Sequence, residues 1–217
     1  MQNILIIEDT LKHQAAARAQ FPEAVVVNYD EAYELLRDAR HGDYSAILTD
    51  LHFKTERNRI IPAMPFGPQF ERNDGAIGKE FPFGLCFALK GVELGIPVVI
   101  VSDADHHSDM VTAMLDMMGF LVQPRGGKDE KRHFIKGGGR GPESFSWENR
   151  VQNPRLISKM SNCPKAEDMH WNGDEIVSAP PVKPEPYTEQ GWKTYANSQV
   201  KDWREAHRLL SAVMAES

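Results

Sequence analysis

Four short apolar runs, each closed by polar residues, set the rhythm of the first hundred positions: "NILIIED" (3–9), "EAVVVN" (23–28), "YSAILTD" (44–50) and "IPVVIVSD" (96–103). They are continuous and rich in β-branched residues, as strands are. Between them lie segments of helical period. "TLKHQAAARAQF" (10–21) is Ala-rich, with Thr10 as its expected cap. "YDEAYELLRDAR" (29–40) puts Ala32, Leu35, Leu36 and Ala39 on one face, with Asp30 available as cap. "FPFGLCFALKGVELG" (81–95) ends at Gly95, which suits the position just past a helix. "HSDMVTAMLDMM" (107–118) predicts another helix, with Ser108 as cap and Val111, Met114, Leu115 and Met118 as core, before a fifth strand at "GFLVQ" (119–123). Strands alternating with helices predict an α/β fold built on a parallel sheet.

The pattern fails twice. Residues 51–80 mix Pro, Gly and charge without a period, and read as a long loop holding at most one or two short strands. Residues 124–197 do the same, except that Asn172-Gly173 within "MHWNGDEIV" predicts a hairpin with a type I′ turn. A last helix is expected over 198–215, with Val200, Trp203, Leu210 and Val213 on its stripe. The whole chain, 1–217, is expected to be one domain carrying two irregular insertions, at 51–80 and 124–197, its core completed by that last helix.

The acids change the picture. A doubly wound five-stranded sheet of order 2-1-3-4-5 sets strands 1 and 3 side by side, and ligands bind beyond their carboxyl ends. Glu8 and Asp9 follow the first strand, and Asp50 ends the third. Three carboxylates would then share one cleft, where their repulsion needs a proton or a cation to relieve it. An oxygen-only set of this kind suits Mg²⁺. Ser102 ends the fourth strand at the same edge.

The residues "IIED", "ILTD", "FGL", "PVVIVS" and "GFLVQP" together resemble the receiver domain of the response regulators of two-component signalling, over about half of the chain. The resemblance implies a flavodoxin-like fold and a phosphorelay role. It makes Asp50 the phosphoacceptor, Glu8 and Asp9 with Asp50 the Mg²⁺ site, Ser102 the hydroxyl that holds a phosphoryl oxygen, and Phe120 the aromatic switch. Chemistry would be limited to self-catalysed phosphotransfer and dephosphorylation rather than enzyme turnover. Expected partners are a histidine kinase or phosphotransfer protein, a downstream protein target, and a second copy of the chain in a homodimer.

Three features depart from that family, one of them the long insert after Asp50, which takes the place of a short loop and is expected to cover the cleft or a partner surface. Gln123, before Pro124, stands where the family has a lysine, so the charge assistance to the phosphoryl group is missing there; Arg125 or Lys128 are the nearest cations. "SDADHHSD" crowds Asp103, Asp105, His106 and His107 behind the hydroxyl, either as a polar capping loop or as ligands for a transition metal. These departures keep two other functions open: a phosphorylation-independent pseudo-receiver scaffold, and a metal-dependent phosphohydrolase.

Composition excludes more than it identifies. Hydrophobic residues make up 41% and charged residues 26%, ordinary for a globular domain, and a net charge of −6 disfavours nucleic acid as partner. The basic, glycine-broken "RGGKDEKRHFIKGGGR" reads as a solvated loop. Cys86 and Cys163 fit neither a disulfide framework nor a zinc pattern. No signal segment or membrane span is legible, so the expected location is the cytoplasm, away from membranes.

Overall fold

The computed structural model describes residues 3–54, 80–102, 121–122, 157–161, 163–186 and 188–215. The predicted strands appear as β1 (Ile4–Ile7), β2 (Val25–Val27), β3 (Ala46–Asp50) and β6 (Val98–Ser102), with two short strands, β4 (Phe53–Lys54) and β5 (Glu80–Phe81), at the two ends of the 51–80 insertion. Helices α1 (Leu11–Gln20), α2 (Tyr29–Asp38) and α3 (Phe83–Glu93) lie between them. The later elements are β7 (Leu121–Val122), β8 (Ile157–Ser161), β9 (His170–Trp171), β10 (Ile176–Val177), α4 (Glu189–Ser198) and α5 (Trp203–Ala215).

The strands β2-β1-β3-β6 pair in parallel in that order, so the chain is α/β and its winding reverses between β1 and β3. Both faces of this sheet are covered. Leu5, Ile7, Ile47, Val98 and Ile100 point to α2 and α3, where Ala32, Leu36, Phe87 and Ala88 bury them. Ile4, Ile6, Leu48, Val99 and Val101 point the other way, against Ala17 of α1 and Trp203, Ala206 and Leu210 of α5. A strand buried on both faces needs no polar alternation, which is why these runs are continuous in sequence.

The far side of the sheet differs from the predicted order. β8, from the middle of the second insertion, pairs with β6, and β7 pairs only with β8 at the edge. The predicted fifth strand is therefore sixth in line. Residues Ile157–Ser161, "ISKMS", carry two serines and a lysine, and this polarity hid the strand from an apolar-run search.

Caps and turns differ in detail. Thr10 is the N-cap residue of α1, but its hydroxyl makes no capping bond; it leans instead on Asp9 Oδ1 at 3.3 Å. For α2 the cap is Asn28, not Asp30: Asn28 Oδ1 accepts from Glu31 N at 2.9 Å while Glu31 Oε2 accepts from Asn28 N. Gly95 lies just past α3 with φ of +70°, as predicted. The hairpin of β9 and β10 forms, but its turn spans four residues, with Asn172 Oδ1 accepting from the backbone of Asp174 and Glu175.

The expected helix over 198–215 is broken. α4 stops at Ser198, residues 199–202 are extended, and α5 starts at Trp203, where Asp202 Oδ1 accepts from Arg204 N at 3.1 Å. The extended piece forms an antiparallel bridge between Lys201 and Lys165. Trp203 and Leu210 are buried on α5 as their stripe predicts, while Val200 is buried from the extended piece; the side chain of Val213 lies outside the described residues, as do the predicted helix 107–118 and the basic loop 125–140.

Candidate functional site

Glu8 follows β1 directly and its side chain is fully buried. The chain turns there, because Glu8 Oε1 accepts from Thr10 N at 2.9 Å and the Glu8 carbonyl accepts from Gln14 Nε2 at 2.6 Å. The turn brings Asp9 to the sheet edge, where its Oδ2 accepts from Lys54 N of β4 at 2.8 Å. Asp50 ends β3 one strand away, and its Oδ1 accepts from Leu51 N at 2.7 Å. Oxygen atoms of Glu8, Asp9 and Asp50 all fall within 4.8 Å of one another. The clustering expected from strand order is thus present.

α3 closes the floor. Gly84 lies so near the end of β3 that a Cβ there would stand 1.9 Å from the Asp50 carbonyl oxygen. Gly84 N donates to Leu51 O at 3.0 Å, which ties the first turn of the helix to the residue after the aspartate. Ser102, buried at the end of β6, lies one position beyond Val101, the register partner of Asp50.

A fourth ionisable residue enters from the far end of the chain. Lys201 Nζ stands 2.7 Å from Glu8 Oε2 and 3.0 Å from Asp50 Oδ2, and its side chain is 2% exposed. It also lies 5.4 Å from the centre of the Trp203 ring, a further favourable contact for a cation. Placed between two carboxylates, Lys201 is positioned to supply positive charge to the cluster. Burial pushes the Glu8 carboxyl up to about 7, opposed by the charge of Lys201 and reinforced by that of Asp50.

With every group ionised, three carboxylates and one ammonium leave two negative charges at the cluster. Each carboxylate offers about four lone-pair sites, and the bonds to Lys201, Thr10, Leu51 and Lys54 use only part of that capacity. The donors are hard oxygens, close enough to share one ion. The cluster therefore fits Mg²⁺ in charge and in donor type.

The remaining expected site residues, Phe120 and Gln123, lie outside the described residues, as do Asp103, Asp105, His106, His107, Arg125 and Lys128. The strand beside β6 is β8, and the N–H of Cys163 donates to Ser102 O at 3.2 Å. Sequence reasoning missed Lys201. It sits in "NSQVKDWREAH", which reads as one uninterrupted helix; only Asp202 before Trp203, a cap residue before an apolar stripe, signalled the break.

No family model matches the chain, and no curated protein or solved structure matches it either. Among the described residues no helix is long and apolar enough to cross a membrane.

Proposed function

We propose that the chain is a receiver-like signalling protein that accepts a phosphoryl group on Asp50. The observation that carries this reading is the meeting of Glu8, Asp9, Asp50 and Lys201 at the carboxyl edge of a parallel sheet, where its winding reverses. Asp50 Oδ2 is the nucleophile: it forms the new P–O bond as the donor's bond to phosphorus breaks and the donor leaves with the electron pair. Lys201 then turns from the carboxylate to a phosphoryl oxygen, supplying the positive charge that Gln123 does not. Ser102 offers its hydroxyl from the next strand. Mg²⁺ bound by Glu8, Asp9 and Asp50 would offset charge on the transferring group. The donor is a histidine kinase or phosphotransfer protein, and the readout is a changed protein contact.

The supporting experiment is labelling of the full chain by a small phosphodonor with Mg²⁺. The wild type takes up one phosphoryl group and Asp50→Asn takes up none. A folded wild-type protein that stays unlabelled removes the proposal.

One observation favours a second reading. Lys201 bridges Glu8 and Asp50, so the cluster is partly neutralised by the chain itself. A phosphorylation-independent scaffold would use that bridge as structure only, and its melting temperature would be indifferent to Mg²⁺ with a phosphoryl mimic.

A further inference from the structure

We infer that His13 and Gln20, on α1, are positioning residues for Lys201: they take both backbone polar groups of a lysine whose two neighbours bond to the 164–166 segment on the opposite side. The inference rests on the reading of Lys201 as the charge partner of Asp50.

In an extended segment, successive backbone groups point to opposite sides. On one side of 200–202, Ala166 N donates to Val200 O at 3.0 Å, and Asp202 N donates to Pro164 O at 2.8 Å. The N–H and C=O of Lys201 face the other side, toward α1. There Lys201 N donates to His13 Nδ1 at 3.1 Å, and Gln20 Nε2 donates to Lys201 O at 2.9 Å. Two side chains of one helix thus replace a strand.

The helix reaches further along the same segment. The His13 carbonyl accepts from Trp203 Nε1 at 3.1 Å, and Gln20 Oε1 accepts from Arg204 N at 3.1 Å. His13 is buried, and because its Nδ1 accepts, its ring is the neutral tautomer with the proton on Nε2.

The arrangement matters because a lysine stem has four flexible carbons. A small shift of the Lys201 backbone would move the ammonium out of reach of Asp50. α1 starts directly after the acid pair, so one helix fixes the acids at its beginning and the cation along its length. Glu8 and Lys201 are held in one frame although 193 positions separate them.

The test is lysine footprinting of the full chain by reductive methylation, read by mass spectrometry without any phosphodonor. In the wild type Lys201 is expected to be protected while Lys193, with a side chain 63% exposed, reacts. His13→Ala should raise Lys201 reactivity about tenfold or more. His13→Asn, whose Oδ1 stands where Nδ1 was, should keep it protected; His13→Gln, which places its carbonyl further out, should not. Gln20→Ala provides the same comparison from a half-buried position if His13→Ala does not fold. Asp50 labelling should follow the same order, with Asn above Gln.

Equal protection of Lys201 in the wild type, His13→Ala and Gln20→Ala overturns the inference. So does equal exposure in His13→Asn and His13→Gln, which would make packing and not the hydrogen bond responsible. Footprinting involves no phosphoryl chemistry. A wild type that protects Lys201 but never labels therefore defeats the proposed function and leaves the positioning role standing.

Discussion

Lys201 and Glu8 form a 2.7 Å ion pair in the interior, with side chains 2% and 0% exposed. Taking both charges out of water costs several kcal/mol each, and their attraction offsets that cost only because other groups complete the solvation. Asp50 supplies a second contact to the ammonium and the Trp203 ring a third. Thr10 N takes the other oxygen of Glu8. The pair belongs to a network, and its members should fail together.

Lys201→Met should therefore destabilise the protein by about 3–5 kcal/mol in urea unfolding, because Glu8 and Asp50 are left facing each other without a cation. Mg²⁺ should stabilise this variant more than it does the wild type, since the ion takes over part of the lost neutralisation. Glu8→Gln combined with Lys201→Met should recover a good part of the loss, the coupling expected of groups in one network.

The elevated Glu8 carboxyl gives a signed pH dependence. Burial lifts it from about 4.5 to about 7, so between those values the folded form holds a proton that the unfolded chain releases. Its contribution to stability is full below about pH 4.5 and is lost as pH rises through about 7. Mg²⁺ competes for the same oxygens, so its affinity should grow between about pH 6 and about pH 8, with release of up to one proton. Calorimetry in two buffers of different ionisation heat measures that release. Glu8→Gln should flatten the profile, and an unchanged profile in that variant would assign the proton elsewhere.

Gly84 reports on the floor of the site. The Cβ of an alanine would meet main-chain atoms of Asp50 and Leu51, which cannot rotate away. Gly84→Ala should cost roughly 1–3 kcal/mol and slow Asp50 labelling, because the clash pushes on the peptide that carries the acceptor. Gly42→Ala is a control for stability alone: φ there is +90° and no atom lies within 4 Å, so it should lose stability without a selective effect on labelling.

What the sequence disclosed follows from the range of the interactions. β1, β2, β3 and β6 were legible because a strand buried on both faces writes an unbroken apolar run, and the acids at their ends follow from strand order alone. β8 was not, because its polarity breaks the run. Lys201 was hidden for a different reason. Its conformation is set by Lys165 on one side and by His13 and Gln20 on the other, contacts that leave no local period. Locally the residues from Val200 to Leu210 satisfy a helical stripe, and the remote partners together with the Asp202 cap hold 199–202 extended.

The first insertion shows the same division. Residues 51–54 and 80–81 are too short to show a period, yet they close an antiparallel pair whose Phe53 is fully buried. Phe53 meets Tyr29 at 6.1 Å and Phe87 at 5.9 Å between ring centres, so the rims of this loop belong to the core. Lys54 N also holds Asp9. Phe53→Ala should cost about 3–5 kcal/mol in urea unfolding, a core-sized loss that an exposed loop residue would not give.

In the proposed function, Asp50, the acid pair and Lys201 form a single phosphoryl-binding centre. Fluorine NMR of the full chain with beryllofluoride and Mg²⁺ tests it most directly. Bound fluorine signals should require Mg²⁺, vanish in Asp50→Asn and shift or broaden in Lys201→Met. A folded wild type with no bound signal, or a signal identical in the Lys201 variant, would contradict it.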